Sequence, residues 1–496
     1  MTNHSNPSPQ AAPRRRAGIL LHPTSLPGEQ PCGDLGPAAF RFIDFLSSAG
    51  MHLWQMLPLG PTHAEGSPYQ CRSVYAGNPA LISLARLQTW GWITAEDMHQ
   101  TLAEPDRWQS TLRNAYQGYQ RAATSQEKTD YTLFQTHHAH WLDDYALYQV
   151  LQQEHAGEPW WTWPTALRDR VPAALKQART RLASSIQQTR FEQYVFFRQW
   201  RELRDYAGAR DLKLFGDVPI FVAHDSADVW AQRDHFLLDP QGQPPVVAGV
   251  PPDYFSATGQ RWGNPLYNWQ RMQSDGFQWW LSRMGTQLEL FDLLRIDHFR
   301  GFEACWEIPA EDSTAVNGRW VSAPGDALFR ALHSRFDPLP LVAEDLGVIT
   351  PAVTALRERY ALPGMLILQF AFDGGDDNPY PPHRHARNSV VYTGTHDNDT
   401  TLSWFNGLTQ EQQQRVRDYL GFPAEPMPWP MIRAALASVA DVAMVPMQDV
   451  LALGTGQRMN VPGTAVGNWS WRFSWEQLEE GLAQRLRHLV LLYGRG

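Results

Sequence analysis

Cysteine and long apolar runs are scarce in this sequence, and each shortage excludes a class of protein. Only three cysteines occur in 496 residues, far apart and without a Cys-x-x-Cys spacing, so neither a disulfide scaffold nor a cysteine zinc site is indicated. No run approaches the roughly 18 apolar residues of a membrane-spanning helix, and the run 17–21 is too short for a signal-peptide core. We therefore expect a cytoplasmic protein with no membrane partner.

Positive charge is also in short supply. The chain has 42 Lys and Arg against 51 Asp and Glu, a formal net charge of −9, and no basic run is longer than residues 14–16. Because nucleic acid is held largely through Lys and Arg on its phosphates, we expect no nucleic-acid partner. Hydrophobic residues make up 43% of the chain, which is enough for a packed interior.

Eight short apolar runs with strand character set the expected fold. They are residues 18–21, 52–57, 213–218, 292–296, 339–343, 365–370, 389–393 and 442–445. Helical patterns lie between many of these runs, and no Gly-rich dinucleotide turn follows the first. The sequence therefore predicts an α/β protein with a (β/α)8 TIM barrel, in preference to an open doubly wound sheet.

The connections predict where the barrel is extended. Residues 1–16 are polar and Pro-rich and predict a disordered tail, which leaves 17–496 for the catalytic barrel. The connection at about 60–212 is too long for one crossover and mostly helical in pattern, so we expect an inserted helical subdomain. Residues 222–274 are rich in Gly, Pro, Trp and Tyr and predict an active-site loop insertion. The chain ends directly after the eighth helix, so no C-terminal β-sandwich is expected.

Polar side chains follow four of the predicted strands, at the end of a TIM barrel that holds the chemistry. They are Asp217, Arg295 with Asp297, Glu344 with Asp345, and His396 with Asp397. A carboxylate next to an apolar strand is costly to bury without partners. Several such groups converging at one mouth therefore indicate a site more than a device for stability.

Two carboxyl groups on separate strands suit cleavage of a glycosidic bond. Asp297 fits the nucleophile, since Arg295 lies two residues earlier on the same side of the strand and would keep it ionised. Glu344 fits the proton donor, since neighbouring carboxylates would raise its pKa. A retaining enzyme needs these carboxyls about 5 to 5.5 Å apart. Carboxylates cover the acid and base work, so we expect no cofactor and no metal.

Ten motifs occur in order along the chain and together identify a family. They are HPTSLPG (22–28), WQMLPLGPT (54–62), SPYQ (67–70), AGNP (76–79), DVPIFVAHDSADVW (217–230), GVPPDYFSATGQRWGNP (249–265), RIDHFRG (295–301), AEDLG (343–347), TGTHDNDT (393–400) and GTAVGNWSWR (463–472). The sequence resembles the 4-alpha-glucanotransferases called amylomaltases or disproportionating enzymes, within the alpha-amylase superfamily.

The resemblance implies an activity and roles for particular residues. The activity is retaining transfer of α-1,4-glucan segments from maltooligosaccharides or starch-type glucans to the 4-hydroxyl of glucose or another glucan. The implied catalytic residues are Asp297 as nucleophile, Glu344 as acid/base and Asp397 as third carboxylate. The implied substrate contacts are Tyr69, Asp217, Arg295 and His396 around the reacting glucose, and Tyr254, Phe255, Gln260 and Trp262 over the acceptor.

Some alternatives stay open. A retaining hydrolase would use the same triad, whereas a catalytically silent glucan-binding barrel should have lost one of the three carboxylates. Family members often carry Gly-Tyr-Gly-Asp where this chain has residues 63–66, His-Ala-Glu-Gly. His137, His140 and Asp144 share a face of a predicted helix, which favours a solvated surface over a metal site. Trp469 and Trp471 fit either the family motif or simple packing.

Overall fold

Each of the eight apolar runs forms a strand in the computed structural model, which describes residues 15–252, 256–373, 375, 377–464 and 466–496. Strands elsewhere in the described chain make a second sheet. The strands are β1 Arg16–Leu20, β2 Leu53–Gln55, β3 Lys213–Pro219, β4 Val246–Val250, β5 Gln260–Pro265, β6 Leu293–Asp297, β7 Ala304–Pro309, β8 Arg319–Ser322, β9 Leu341–Ala343, β10 Gly364–Ile367, β11 Ser389–Tyr392 and β12 Val442–Pro446.

Eight of these strands are parallel and form the barrel. Their order is β10-β11-β12-β1-β2-β3-β6-β9. The backbone N–H of Ala343 donates to the carbonyl of Pro363 at 2.8 Å, which joins β9 to the start of β10 and closes the ring. The predicted TIM barrel is confirmed.

Large apolar side chains fill the inside of the barrel, as this fold requires. One buried cluster draws a residue or more from six of the eight strands, and none of its members is more than 3% exposed. Its members are Leu53, Phe215, Val342, Met365, Ile367, Val390, Tyr392 and Met444. The interior is therefore packed protein, and the open space lies at the mouth.

Helices surround the barrel and fill its connections. They are α1 Pro37–Ser48, α2 Leu84–Thr89, α3 Ala95–Ala103, α4 Trp108–Ala122, α5 Ser125–His137, α6 Ala139–Glu154, α7 Thr165–Arg168, α8 Pro172–Arg181, α9 Ala183–Gly208, α10 Ala227–Ala231, α11 Trp269–Ser274, α12 Gln278–Leu290, α13 Gly325–Arg335, α14 Pro351–Arg359, α15 Thr401–Gly407, α16 Gln410–Tyr419, α17 Trp429–Ala437, α18 Met447–Val450 and α19 Leu482–Leu492. Helices α2 to α9 all lie between β2 and β3. None of the described helices is long and apolar enough to cross a membrane.

The segment expected as an active-site loop contains regular structure. Within 222–274 the chain forms β4 and β5, which join β7 and β8 in an antiparallel sheet of order β5-β4-β7-β8. The expectation of loops was wrong here because Gly and Pro within and beside these strands resemble turn signals. The second sheet gives this side of the mouth a rigid support.

The start of the described chain also needs a correction. Arg16, expected in a disordered tail, is the first residue of β1 and pairs with Val442 of β12. The Arg15 guanidinium donates to the carbonyl of Tyr493 at 2.8 Å. The first barrel strand thus includes a basic residue that an apolar-run criterion leaves out. Residues 1–14, which hold the rest of the expected tail, lie outside the described residues.

Gly18 offers a test of the barrel packing. A Cβ at this position would lie 2.5 Å from the Leu53 Cβ and 2.8 Å from the Met444 Cε, closer than real contacts allow. We expect Gly18→Ala to lower the free energy of unfolding by about 1–3 kcal/mol, through overpacking. Gly208→Ala is the control, since a Cβ there meets no atom within 4 Å. Equal thermal unfolding midpoints for the two variants would contradict the packing described.

Candidate active site

The polar residues predicted to converge do so at one mouth of the barrel. Asp217 lies near the end of β3, Asp297 is the last residue of β6, and Glu344 directly follows β9. Since these strands are parallel neighbours in the order β3-β6-β9, their carboxyl ends meet at the same edge. His396 and Asp397 come from the connection after β11, and Tyr69 from the one after β2.

A buried arginine joins two of the carboxylates. One terminal nitrogen of Arg295 contacts both oxygens of Asp217, at 2.9 and 2.7 Å, and the other contacts Asp297 Oδ1 at 2.7 Å. The side chains of Arg295 and Asp217 are 7% and 1% exposed, whereas Asp297 is 30% exposed. Burial alone would lower the pKa of Arg295, but the two carboxylates outweigh it and raise that pKa. Asp297 is therefore ion-paired and open to the mouth.

Glu344 has the opposite environment. Its oxygens accept backbone N–H groups, from His298 at 2.7 Å and from Leu346 at 2.9 Å. Burial raises the pKa of Glu344 to about 7, Asp297 adds to the rise, and Arg295 and the two N–H groups oppose it. This carboxyl can therefore hold a proton near neutral pH.

The backbone of His298 is what places one of those N–H groups. Its φ of 53° lies in the left-handed region, which a residue with a bulky side chain adopts only at a cost in free energy. The strained residue directly follows Asp297, and its N–H points at Glu344. The residue that directly follows the nucleophile candidate Asp297 thus donates a hydrogen bond to the acid candidate Glu344.

The connection after β11 completes the site. His396 Nε2 lies 3.3 Å from Asp397 Oδ2, and the His396 ring stacks on Tyr69 with centroids 5.2 Å apart. The Tyr69 hydroxyl in turn donates to Asp217 Oδ2 at 2.7 Å. One chain of contacts therefore runs from Asp397 to Asp217, and Arg295 continues it to Asp297.

The predicted acceptor residues are brought close to the nucleophile candidate in part. Trp262 lies on β5 and donates from Nε1 to Gln260 Oε1 at 3.1 Å. Its ring meets the imidazole of His298 edge to face, with centroids 4.8 Å apart, and His298 directly follows Asp297. Tyr254 and Phe255 lie outside the described residues.

Comparison with known proteins now decides the family. A family model described as 4-alpha-glucanotransferase matches residues 21–478. The chain belongs to the 4-alpha-glucanotransferase family. The match includes every strand-end residue of the site described above.

Individual relatives of this 4-alpha-glucanotransferase family member support the family assignment. A 4-alpha-glucanotransferase of Thermus thermophilus is 49% identical, with 96% of this chain and 98% of the relative covered. One of Synechocystis is 46% identical over 97% of this chain and 98% of the relative. The solved structure of an amylomaltase from Streptococcus agalactiae in complex with acarbose has a TM-score of 0.93 at 35% identity, covering 97% of this chain and 100% of that one.

Sequence reasoning missed three contributors to the site of this 4-alpha-glucanotransferase family member. Asn460 donates to Asp397 Oδ1 at 2.6 Å from 63 residues away. His298, between Asp297 and Phe299, carries no sequence signal beyond its place in a family motif. Trp469 fits either the family motif or packing by sequence, and in the structure its ring centroid lies 6.0 Å from that of Tyr69 and 6.1 Å from that of His396. A positive φ of 64° at a tryptophan is a conformation that sequence does not reveal.

The residues considered as metal ligands, His137, His140 and Asp144, differ from the group that the described residues bring together. Asp144 pairs with Arg170 at 2.8 Å, and the described residues instead group His137 and His138 with Glu289. The indole N–H of Trp141 donates to His138 Nδ1 at 3.2 Å. A neutral imidazole accepting at Nδ1 carries its proton on Nε2, so that nitrogen has no lone pair for a metal. We assign no metal to this group.

The raised pKa of Glu344 predicts a pH-dependent cost in stability. Between its ordinary value of 4.5 and about 7, the unfolded chain releases the proton and the folded protein keeps it, so stability falls as pH rises through this window. Between pH 4.5 and 7.5 we expect the free energy of unfolding of Glu344→Gln to rise by roughly 2 to 4 kcal/mol relative to that of wild type.

Chemical unfolding of both proteins across this pH range measures the difference. Glu358→Gln, which removes an exposed carboxyl on α14, is the control and should run parallel to wild type. If the difference in unfolding free energy between Glu344→Gln and wild type did not change with pH, the pKa of this carboxyl in the folded protein would be the ordinary one of 4.5.

Proposed function

We propose that this 4-alpha-glucanotransferase family member transfers α-1,4-glucan segments with retention, through a covalent glycosyl-enzyme. The observation that carries the proposal is the contrast between two neighbouring carboxyls. Asp297 is ion-paired with Arg295 at 2.7 Å, which suits a nucleophile, whereas burial raises the pKa of Glu344 to about 7, which suits a proton donor.

The reaction follows in two steps. In the first, Asp297 attacks the anomeric carbon, the glycosidic C–O bond breaks, and the proton of Glu344 goes to the leaving 4-oxygen. In the second, Glu344 takes the proton from the 4-hydroxyl of an acceptor, whose oxygen forms the new bond to the anomeric carbon as the ester to Asp297 breaks. Both carboxyls return to their starting states.

The remaining polar residues hold the reacting glucose. Asp397 and His396 offer hydrogen bonds from one side of the mouth, and Tyr69 stacks on His396 while bonding Asp217. Because each of these side chains is already oriented by a neighbour, little reorganisation is needed when a sugar binds. We assign them to the sugar that carries the reacting carbon.

Transfer instead of hydrolysis needs an acceptor that competes with water. Trp262 supplies an apolar face beside His298, and Gln260 a polar group 3.1 Å from the indole nitrogen. A glucose bound on this face would present its hydroxyl in an effectively intramolecular arrangement and exclude water. Glucose and maltooligosaccharides are the acceptors that fit.

The surroundings suit a cytoplasmic enzyme. All three cysteines are free thiols, as expected in a reducing compartment. We also propose that the helices between β2 and β3 form one inserted subdomain and that the segment 222–274 belongs functionally to the active site. No step above needs a cofactor or a metal.

Maltotriose distinguishes transfer from hydrolysis. We expect glucose and oligosaccharides longer than maltotriose, with little net gain in reducing ends, because each bond broken is replaced by another. Chromatography of the products and a reducing-end assay measure this together. Reducing ends that rise in step with every bond cleaved would replace the transferase with a retaining hydrolase.

Asp297→Asn tests the nucleophile assignment. The amide cannot form the glycosyl ester, so we expect turnover of maltotriose to fall below detection, with the fold unchanged by circular dichroism. Asp326→Asn, which alters a carboxylate on α13 paired with Arg330 and Arg359, is a matched control that should keep wild-type turnover. Near-native turnover in Asp297→Asn would assign the nucleophile to another residue.

Trp262→Ala tests the acceptor site. Without the ring, we expect a larger fraction of glycosyl-enzyme to react with water, so the ratio of new reducing ends to bonds cleaved should rise, or total turnover should fall. Trp262→Phe keeps an apolar face, so its ratio and turnover should lie between those of wild type and Trp262→Ala. Trp320→Ala, on β8 of the same sheet and 39% exposed, is the control. An unchanged ratio and rate in Trp262→Ala would remove this ring from the acceptor site.

A further inference from the structure

The eighth barrel strand also delivers a carboxylate to the mouth, and the mechanism does not use it. Asp449 lies in α18, immediately after β12. Its side chain is 1% exposed, and no salt bridge joins it to a cation among the residues that the structure describes. A buried carboxylate without a counter-charge is costly, so its hydrogen bonds should reveal what it stabilises.

Those hydrogen bonds all go to the two ends of one connection. Thr393 Oγ1 and Thr401 Oγ1 both lie 2.6 Å from Asp449 Oδ2, and the Thr401 backbone N–H donates to Oδ1 at 2.7 Å. Thr393 directly follows β11, and Thr401 begins α15. A single carboxylate therefore joins the residues on either side of the connection 394–400 through hydrogen bonds.

This connection, residues 394–400, carries His396 and Asp397. Both threonines are fully buried, so their hydroxyls need partners inside the protein. The chain that follows Asp449 adds contacts to the same connection: Arg458 donates to the Asp397 carbonyl at 2.6 Å and Asn460 to its Oδ1 at 2.6 Å. Residues 447–460 thus form a support for the sugar-binding side of the mouth.

We propose that Asp449 is a positioning residue, which fixes His396 and Asp397 against the reacting glucose by joining both ends of their connection. Asp449 touches neither the sugar nor the reacting atoms. It acts through geometry, and a shift of about 1 Å in catalytic groups is enough to reduce a rate roughly 100-fold. This inference rests on the proposed function, because it assumes that His396 and Asp397 contact the sugar.

Two substitutions at position 449 separate geometry from charge. Asp449→Ala removes all three hydrogen bonds, and we expect kcat/KM for maltotriose to fall roughly 100-fold. In Asp449→Asn the amide oxygen can still accept the Thr401 N–H and the amide nitrogen can donate to both hydroxyls. We expect this variant to keep at least a third of wild-type kcat/KM.

A kinetic split distinguishes positioning from a general loss of structure. With glucose as acceptor, the half-saturating glucose concentration should stay unchanged in Asp449→Ala, since Trp262 and Gln260 lie on β5, away from the connection. Glu192→Ala, which removes a buried carboxyl from α9, is the control and should lower the thermal unfolding midpoint without the 100-fold loss in rate.

Substitutions at position 401 keep the test independent of whether Asp449→Ala folds. Thr401→Val removes one hydroxyl at nearly constant volume and should lower kcat/KM about 10-fold, and Thr401→Ser should restore it, by removing and restoring a bond at one end of the connection. Wild-type kcat/KM in both Asp449→Ala and Thr401→Val, or equal losses in Asp449→Ala and Asp449→Asn, would overturn the positioning role. Absence of transfer by the wild-type protein would instead overturn the proposed function.

Discussion

The site depends on one guanidinium group buried between two carboxylates. Arg295 bonds Asp217 through one terminal nitrogen and Asp297 through the other, and it is itself on β6, so its position is fixed by the barrel. Burial and the charge of Asp297 both raise the pKa of Asp217, and Arg295 opposes that rise. Without the guanidinium the two carboxylates would repel each other. Because the guanidinium pairs with both carboxylates, Asp297 faces the mouth beside a counter-charge, whereas burial raises the pKa of Glu344 to about 7. The contrast between the two candidate catalytic carboxyls therefore depends on one side chain.

The barrel and most of the site were predictable from sequence, because both rest on local patterns. A short apolar run between helical segments forms a strand whatever its partner, and the residue after such a run reaches the mouth by topology alone. This reasoning places Asp217, Asp297, Glu344 and the pair His396 and Asp397 at the mouth from the sequence alone. The family resemblance added Tyr69, whose position after β2 is not informative by itself.

What the sequence did not show depends on contacts between distant segments or on backbone conformation. The sequence predicts loops where the second sheet forms, because β4 and β5 carry glycine and proline, and the pairing of β4 with β7 depends on tertiary contacts. The left-handed backbone of His298 has no signature in composition. Asn460 and Asp449 look like ordinary polar residues until the fold brings them against the connection after β11.

The neighbourhood of β6 and β9 in the barrel carries a stereochemical consequence. These strands pair directly, with Ile296 opposite Ala343, so the next residues of the two strands, Asp297 and Glu344, stand one strand spacing apart. Adjacent strands are about 4.8 Å apart, so the two side chains start from backbone positions whose spacing is compatible with the short carboxyl separation of a double displacement. The order of the strands thus favours the retention that we propose at the anomeric carbon, because moving either carboxyl to the next strand along the barrel would give a wider spacing, suited to inversion.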